Sequence, residues 1–480
     1  MKRFAFFLFA ACSSLLAADM PNIVFILADD LGQMDIRAFN PKTFYETPNI
    51  DGLAKRGMKF TQGYAACCVC SPTRGSIMTG KYPPRFGITN FIPGGKSGKL
   101  LSAPNAGQLA LQEVTIAESL RDAGYATFMS GKWHLGNEGF MPKDQGFTND
   151  ASAATGPKSD IKKGPDDPKK TDRICDDAIA FIKANKDKPF YAYLPFNAPH
   201  VPIGARADLV AKWEAKAKQA PADTFGNEGK NMVRLVQNNP VYAAMLEQFD
   251  TAIGRVLSAL EKNGLTEKTI IVFMSDNGGL STAEGSPTSN LPLRAGKGWP
   301  YEGGVREPLI VVAPGVAKPA STCDSPVIST DFYPTLLQLA GQPLKPEQHL
   351  DGVSFVPLLK GQSTARGKPL FWHYPHYANQ GGPPNTVIRE GDWKLIEWHE
   401  DGSLELYNIA QDLSEKTNLA TQQPDKAKEL QAKLIAWRKE VGALMPTPNP
   451  HFDPNAKAPT KSPKKAKKKA PNKGAPSSLK

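Results

Sequence analysis

Four uninterrupted apolar runs alternate along the chain with segments of helical periodicity. The runs cover residues 22–28, 190–194, 269–274 and 309–313. Because a strand that is apolar at every position has both faces buried, such runs favour interior strands of a parallel sheet. Apolar residues recur at helical spacing over 242–263, and Asn263-Gly264 is typical of a helix end. Strand and helix alternate to about residue 340, which predicts an α/β fold with a large, mostly parallel central sheet.

Beyond about residue 366 the pattern changes to short strands. Segments 386–390, 393–399 and 404–408 are separated by Gly391-Asp392 and Asp401-Gly402, dipeptides typical of hairpin turns. An amphipathic helix is predicted to follow, over about 424–440. We therefore predict a main domain over residues 19–365 and a C-terminal subdomain, a small antiparallel sheet with one helix, over 366–445. The polar segments 150–172 and 213–230 are predicted to be surface loops.

Composition and charge change this picture only at the two ends. The 480 residues are 40% apolar and 22% charged, which excludes a wholly disordered, collagenous or coiled-coil chain. Of the net charge of +11, Lys2 and Arg3 contribute two charges, and the lysines of segment 456–480 contribute nine. The remainder is electrically balanced, so the basic character says nothing about a site inside the fold.

Both ends of the chain carry signals that are separate from the fold. Residues 1–18 have the charged start, apolar segment and small final residues of a secretory signal peptide. An alternative is a lipoprotein signal with Cys12 as the lipidated residue. We expect a periplasmic or secreted protein. Residues 446–480 are predicted to be a disordered tail, which either binds polyanions weakly or has no partner. An exported protein is not expected to bind nucleic acid.

Two polar doublets follow two of the apolar runs. Asp29-Asp30 follows the first run, and Asp276-Asn277 follows the third. Ligand sites in open α/β sheets lie at the carboxyl ends of strands, so these doublets are expected to meet. Their oxygen atoms suit a hard cation such as Ca²⁺ or Mg²⁺. The alternative for each doublet alone is a cap of the following helix.

The most distinctive motif is Cys70-Ser71-Pro72-Thr73-Arg74-Gly75. Proline suits the first turn of a helix, so Cys70 is predicted at a helix N-terminus, where an anion binds readily. Arg74, one turn later, is able to direct its guanidinium group to the same anion. A zinc site is not supported, because the sequence has no second cluster of ligands at suitable spacing. A catalytic redox pair is not supported, because the surrounding segment does not resemble that of a thioredoxin. A disulfide that involves Cys67 or Cys68 stays open.

These residues resemble the signature of the type I, formylglycine-dependent sulfatases, the arylsulfatase family of the alkaline phosphatase superfamily. The motif is followed by Thr79-Gly80-Lys81-Tyr82, and the family's second signature resembles residues 131–136. Further matching blocks lie at 197–200, 275–278, and 296–298 with 302–304. The resemblance covers nearly the whole mature chain and implies an alkaline-phosphatase-like fold, with residues 19–365 as the catalytic domain.

The resemblance also implies a mechanism. A maturation enzyme would convert Cys70 to formylglycine, whose hydrated aldehyde attacks sulfur with one hydroxyl and releases sulfate with the other. One calcium ion would be bound by Asp29, Asp30, Asp276, Asn277 and the modified residue 70. By the same resemblance, the sulfate would be contacted by the cationic side chains of Arg74, Lys132 and Lys297. His134 would act as a base, and His200 with Lys297 would protonate the departing alcohol.

One family contact and the substrate stay open at this point. The serine that some members place after a Gly-Phe pair is not obvious, because Gly146-Phe147 is followed by Thr148-Asn149-Asp150. The substrate is an aryl sulfate or, favoured by export and the basic tail, a sulfated carbohydrate. Loops 90–108, 137–170 and 205–232, with Trp372, His373 and His376, are expected to shape its pocket.

Two other functions are compatible with these motifs. The first is a phosphodiesterase or phosphonate monoester hydrolase on the same fold, because some of those enzymes also use formylglycine. The second is a non-catalytic polyanion-binding protein that kept the fold and gained the tail. The presence of every catalytic side chain that the resemblance implies argues against the second alternative.

Overall fold

The computed structural model describes residues 20–155, 166–362 and 366–453. The predicted signal segment 1–18 and tail residues 454–480 lie outside this range. Among the helices in the described part of the chain, none has both the length and the apolar character needed to cross a membrane.

The strands of the described residues are numbered in chain order. They are β1 Asn22–Ala28, β2 Met58–Tyr64, β3 Leu100–Leu101, β4 Ala126–Met129, β5 Asn149–Asp150, β6 Phe190–Pro195, β7 Phe225–Glu228, β8 Asn231–Arg234, β9 Thr269–Ser275, β10 Arg306–Val312, β11 Ser321–Cys323, β12 Val327–Ile328, β13 Leu370–Tyr374, β14 Asn385–Glu390, β15 Trp393–Trp398, β16 Leu404–Asn408 and β17 Thr447–Pro448.

The α-helices are numbered in the same way. They are α1 Pro48–Arg56, α2 Cys70–Thr79, α3 Pro83–Phe86, α4 Ile116–Asp122, α5 Ser152–Thr155, α6 Thr171–Ala184, α7 Ala207–Ala217, α8 Pro240–Lys262, α9 Glu302–Val305, α10 Phe332–Leu339, α11 Val356–Leu359 and α12 Pro424–Glu440.

The large sheet confirms the predicted α/β fold. Its strand order is β11-β2-β10-β9-β1-β6-β4-β5, and β12 also pairs with β2. All pairings are parallel except those of β10, which runs antiparallel to both β9 and β2. The expected parallel direction of the fourth apolar run is therefore wrong. Its composition shows that both faces are buried, whereas its direction depends on the connection, and residues 276–305 carry only the short helix α9.

Helices cover both faces of this sheet, as the apolar runs require. Along β1, Ile23, Phe25 and Leu27 pack on one side in a cluster with α2, α4 and α10. Val24 and Ile26 face the other side and pack with α6 and α8. Burial on both faces thus holds the ends of β1, β6 and β9 in one rigid row, where the polar doublets lie.

The C-terminal sheet has the predicted antiparallel arrangement, in the order β13-β14-β15-β16, with α12 packed against it. The ring of Trp437 stacks on Phe371 at 4.5 Å. The ordered chain continues past the predicted start of the tail, because Thr447–Pro448 pairs with Leu100–Leu101. A hydrogen bond from Asn449 Nδ2 to the Gly98 carbonyl, 2.8 Å long, holds the next residues in place.

The prediction of a surface loop over 213–230 is wrong in part. The helix α7 reaches into this segment, and strands β7 and β8 form a hairpin that begins within it. Trp213 is fully buried against α8, and its indole N–H donates to Glu247. A single tryptophan in a polar stretch supplies enough apolar area to anchor a helix. Likewise, α6 begins at Thr171, inside the predicted loop 150–172.

Candidate active site

The two polar doublets meet at the carboxyl ends of β1 and β9, which are adjacent parallel strands in the sheet. The Asp30 backbone N–H donates to Asp276 Oδ1 at 3.2 Å. Asn277 Nδ2 donates to Asp30 Oδ1 at 2.8 Å. These side chains and Asp29 are all buried. Sheet pairing therefore brings together groups that are almost 250 residues apart in the chain.

Cys70 is the first residue of α2, as the position of Pro72 predicts. The preceding residue is extended, and the helix ends at Gly80 in the left-handed conformation. All ten residues of α2 are buried. One ligand atom each from Cys70, Asp29 and Asp276 lie within 4.8 Å of one another. The helix thus places its first side chain beside the carboxylates.

Three cationic side chains contact these carboxylates. The Arg74 guanidinium group donates to Asp276 through Nε at 2.8 Å and forms a second contact through NH2 at 2.7 Å. Lys132 Nζ contacts both carboxylate oxygens of Asp29 at 2.8 and 2.9 Å. Lys297 Nζ donates to Asp30 at 2.7 Å. The structure therefore brings the three predicted sulfate contacts and the predicted metal ligands into one cluster.

This environment keeps Asp29, Asp30 and the ammonium groups charged, whereas burial outweighs Arg74 and raises the pKa of Asp276 well above its usual range. Burial alone would raise the pKa of Asp29, but Lys132, His200 and Arg74 outweigh burial and hold that pKa well below its usual range. Burial opposes the charge of Lys297, but the contact with Asp30 outweighs it and raises the pKa of the lysine. At neutral pH Asp29, Asp30 and the ammonium groups are ionised, so the cluster is a dense set of buried charges.

The donor set fits a hard cation. Asp29, Asp30 and Asp276 offer carboxylate oxygens, and the buried Asn277 Oδ1 has no hydrogen-bond partner among the described residues. An orphaned amide oxygen and three carboxylates together supply a set of oxygen ligands, which suits Ca²⁺ or Mg²⁺ rather than a soft metal. A bound divalent cation would keep all three carboxylates ionised, and the three cationic side chains would then balance their charges. A divalent cation would therefore leave the site positive, as binding of a sulfate group requires.

The two histidines are held in different tautomers. His134 Nε2 lies 2.8 Å from the Ile92 carbonyl oxygen, so Nε2 carries the proton and Nδ1 is the basic atom. That Nδ1 is buried and has no partner within the described part of the chain. His200 Nδ1 donates to the Val201 carbonyl, and its Nε2 lies 3.6 Å from Asp30 Oδ2. Burial lowers the pKa of His134 to about 3 and that of His200 to about 4.

The cluster lies at the wall of a cavity of about 560 Å³. Cys70, Lys132, His134, His200 and Lys297 all line it, together with Asp29. The volume is within the usual range for small-molecule sites. Arg74 does not line the cavity; it is buried behind this surface.

Ser152 is a candidate that the sequence analysis missed. It lines the cavity, and its buried Oγ has no hydrogen-bond partner among the described residues. It lies five residues after Phe147, not directly after it, in the short helix α5. A search for any serine within one helical turn of β5 would have found it.

The expected pocket residues are partly wrong. His373 is held by Thr386 and the Leu444 carbonyl, and His376 by Thr89, while the Trp372 indole N–H donates to the Ala65 carbonyl. Those partners hold all three inside the C-terminal subdomain or its interface, and segment 205–232 does not reach the cavity either. The subdomain contributes Asn379 and Gln380 instead. Cys67 and Cys68 are free thiols.

Residues 21–342 match the family model named Sulfatase, and residues 295–440 match the model for the C-terminal part of N-sulphoglucosamine sulphohydrolase. The first match spans more than half of the chain. The chain belongs to the sulfatase family. This sulfatase is 35% identical to a sulfatase of Formosa agariphila over 88% of this chain and 89% of the relative. It is 34% identical to human arylsulfatase A over 78% of this chain and 74% of that enzyme.

Solved structures agree with this assignment. The crystal structure of Ps i-CgsB in complex with k-i-k-neocarrahexaose matches with a TM-score of 0.71 and 28% identity. The match covers 87% of this chain and 92% of that chain. The predicted alkaline-phosphatase-like fold is therefore confirmed, and the protein is an enzyme that hydrolyses sulfate esters.

Proposed function

We propose that this sulfatase is an exported enzyme that removes sulfate from a sulfated sugar and uses a formylglycine made from Cys70 and one calcium ion. The observation that carries the proposal is the place of Cys70. It begins a buried helix and lies in the cavity wall, beside two carboxylates and within the set of cations described above.

The sulfate group would bind to the cationic part of this cavity. Lys132 and Lys297 line the cavity, and Arg74, buried behind them, donates to the Lys132 carbonyl at 2.6 Å. Ser152 Oγ is a neutral donor in the same wall. Fixed donors directed at sulfate oxygens stabilise charge that develops during ester cleavage.

Formylglycine at position 70 would supply an oxygen nucleophile, and calcium bound by Asp29, Asp30, Asp276 and Asn277 would supply positive charge beside it. The protein itself supplies the base. His134 is neutral and presents an unprotonated Nδ1, while its Nε2–H is held by the Ile92 carbonyl. We assign to Nδ1 the removal of the hydroxyl proton at residue 70 when sulfate is released.

Departure of the alcohol requires a proton on its oxygen. We assign this step to His200 together with Lys297, which both line the cavity. His200 must carry its second proton on Nε2 for this purpose. Asp30, 3.6 Å away, favours that proton, while burial opposes it. The charged Lys297 ammonium group stabilises the developing alkoxide in either case.

A sugar fits this cavity better than a flat aromatic ring. Amide and carboxylate groups of Asn137, Glu284, Asn379 and Gln380 line it, and such groups hydrogen-bond to hydroxyls. The complex of Ps i-CgsB with k-i-k-neocarrahexaose shows that a related structure accommodates a saccharide. These groups give an oligosaccharide a set of orienting contacts that an aryl sulfate does not use.

The proposal is tested by comparing substrates on matured enzyme. Hydrolysis of an aryl sulfate and of a matched aryl phosphodiester is measured, followed by a screen of sulfated mono- and oligosaccharides. We expect the sulfate ester to be cleaved with a higher kcat/KM than the phosphodiester, and a sulfated sugar to exceed both. A preference for the phosphodiester would contradict the proposal and favour the phosphodiesterase alternative.

A further inference from the structure

Two consecutive lysines lie in the cavity wall outside the cation cluster. Lys169 and Lys170 precede α6, belong to none of the sequence blocks that resemble the family signatures, and line the same cavity as Cys70. They are only 7% and 5% exposed. Lysine side chains are rarely this buried, so these two are held in place by the fold rather than extended into solvent.

Hydrogen bonds tie this lysine pair to the loop that carries His200. Asn197 Nδ2 donates to the Lys169 carbonyl at 3.1 Å. Lys169 Nζ donates to the Pro202 carbonyl at 3.2 Å. Lys170 has a left-handed backbone conformation, with a φ of 58°, which is unusual for a residue with a side chain. Such a conformation is retained where the surrounding structure holds it, and this occurs frequently at ligand sites.

The order of the strands separates this pair from the acidic group of the cavity. Lys169 contacts the loop that follows β6, on one side of β1, and Lys170 is the next residue. Glu284 lies in the loop between β9 and β10, on the other side of β1, and its carboxylate accepts a hydrogen bond from Gln380 Nε2 at 3.0 Å. Lys169 and Lys170 therefore line the cavity beside the loop after β6, whereas Glu284 and Lys297 line it from the loop between β9 and β10.

We propose that Lys169 and Lys170 bind a second anionic group on the saccharide, a sulfate or a carboxylate, while its reacting sulfate ester lies at residue 70. This inference rests on the proposed function and narrows its substrate class to saccharides with at least two negative groups. Two lysines in one wall attract such a group. The pair thus fixes the orientation of the sugar.

The test compares two sugars that differ only in the second sulfate. The ratio of kcat/KM for the disulfated sugar to that for the monosulfated sugar is measured in wild type and in Lys169→Gln/Lys170→Gln. We expect a wild-type ratio above ten, and a ratio at least tenfold lower in the variant, mainly through KM. The kcat/KM for a monosulfated disaccharide that also carries a uronate carboxylate is divided by that for the monosulfated sugar. This ratio shows whether a carboxylate also occupies the subsite.

Two further variants separate this effect from folding and from net charge. Lys169→Arg/Lys170→Arg keeps the charges and should keep the preference for the disulfated sugar. Lys186→Gln/Lys188→Gln removes two exposed charges outside the cavity and should leave the ratio unchanged. A wild-type ratio near one, or an unchanged ratio in the glutamine variant, would overturn the subsite. Failure of wild type to cleave any sulfated sugar would instead count against the proposed function.

Discussion

Several polar atoms at the site are buried without a hydrogen-bond partner in the part of the chain that the structure describes. Three of them are Asn277 Oδ1, His134 Nδ1 and Ser152 Oγ. Leaving such an atom unsatisfied costs about 1–3 kcal/mol, so one that faces a site is a candidate for contact with a ligand. Asn277 lies among the carboxylates, and the other two line the cavity. We infer that the first atom serves a cation and the other two serve the substrate.

Ser152 offers the simplest test at the scale of one residue. Because its Oγ bonds to nothing in the described protein, Ser152→Ala should not lower the melting temperature. Loss of a donor to a sulfate oxygen should lower kcat/KM on an aryl sulfate about tenfold, which corresponds to about 1.4 kcal/mol. Steady-state kinetics and thermal melting measure the two effects.

Ser76 provides the matched control. Its Oγ is also buried and lacks a partner among the described residues, but Ser76 does not line the cavity. Ser76→Ala should leave the activity unchanged and should not lower the melting temperature. Equal losses of activity in both variants would show that Ser152 acts through packing rather than through the substrate.

At the scale of elements, long apolar runs and helical periodicity were reliable guides. The apolar run 22–28 has the same first and last residues as β1, and the hairpin dipeptides lie in the turns between β14, β15 and β16. The predicted parallel direction of β10 is wrong, because the burial of a strand does not determine whether it runs parallel or antiparallel to its neighbours. The helix α7 was missed because a single buried side chain, Trp213, anchors an otherwise polar segment.

The sequence predicts the residues of the site that lie at strand ends, but not those that lie in loops. Strand ends placed Asp29 and Asp276 together, because adjacent parallel strands end at one edge of a sheet. Ser152, Lys169 and Glu284 were not predictable as parts of one cavity. They lie in loops or short helices whose paths depend on tertiary hydrogen bonds, and no periodic pattern records those bonds.

Contacts between the C-terminal sheet and α9 also stabilise the site. Lys394 of β15 lies fully buried between Glu302 and Glu415, 2.9 Å from each. Glu302 opens α9, and the Gly304 carbonyl of that helix accepts the backbone N–H of Gly278 at 3.1 Å. The C-terminal sheet is therefore joined by buried charges to the turn that follows Asn277.

Removal of the lysine should be costly. Lys394→Met would leave two buried carboxylates facing each other, so we expect a loss of about 3–5 kcal/mol in the free energy of unfolding. Lys433→Met is the control, because Lys433 bridges Glu390 and Glu429 at the surface and should cost less than about 1 kcal/mol. Urea denaturation measures both. Similar losses in the two variants would contradict the assigned importance of burial.

At the scale of the whole molecule, the cavity is assembled from both sheets. A loop of the C-terminal subdomain brings Asn379 and Gln380 to the cavity, where the Gln380 carbonyl accepts from Thr282 Oγ1 at 3.1 Å and from the Trp299 indole N–H at 3.0 Å. Gly298 has a φ of +81°, and a Cβ there would lie 2.6 Å from Gln380 Oε1. The close approach behind Lys297 therefore requires glycine at this position.

The cation site should appear in the stability of the whole protein. If calcium binds only the folded state, a concentration 100 times its dissociation constant adds about 2.7 kcal/mol. We expect chelation to lower the melting temperature and added calcium to restore it. Asp30→Asn should abolish this response, whereas Asp122→Asn, at an exposed acidic residue outside the cavity, should retain it. A melting temperature that is indifferent to calcium in wild type would contradict the assignment.

The central claim is that residue 70 acts as formylglycine rather than as cysteine. Mass spectrometry of the peptide that contains residue 70, on preparations matured to different degrees, measures the fraction of aldehyde. The turnover of each preparation on an aryl sulfate is measured in parallel. The account predicts that turnover rises in proportion to the aldehyde fraction and falls to background where only the thiol is present. Full turnover by protein with an unmodified Cys70 would contradict it.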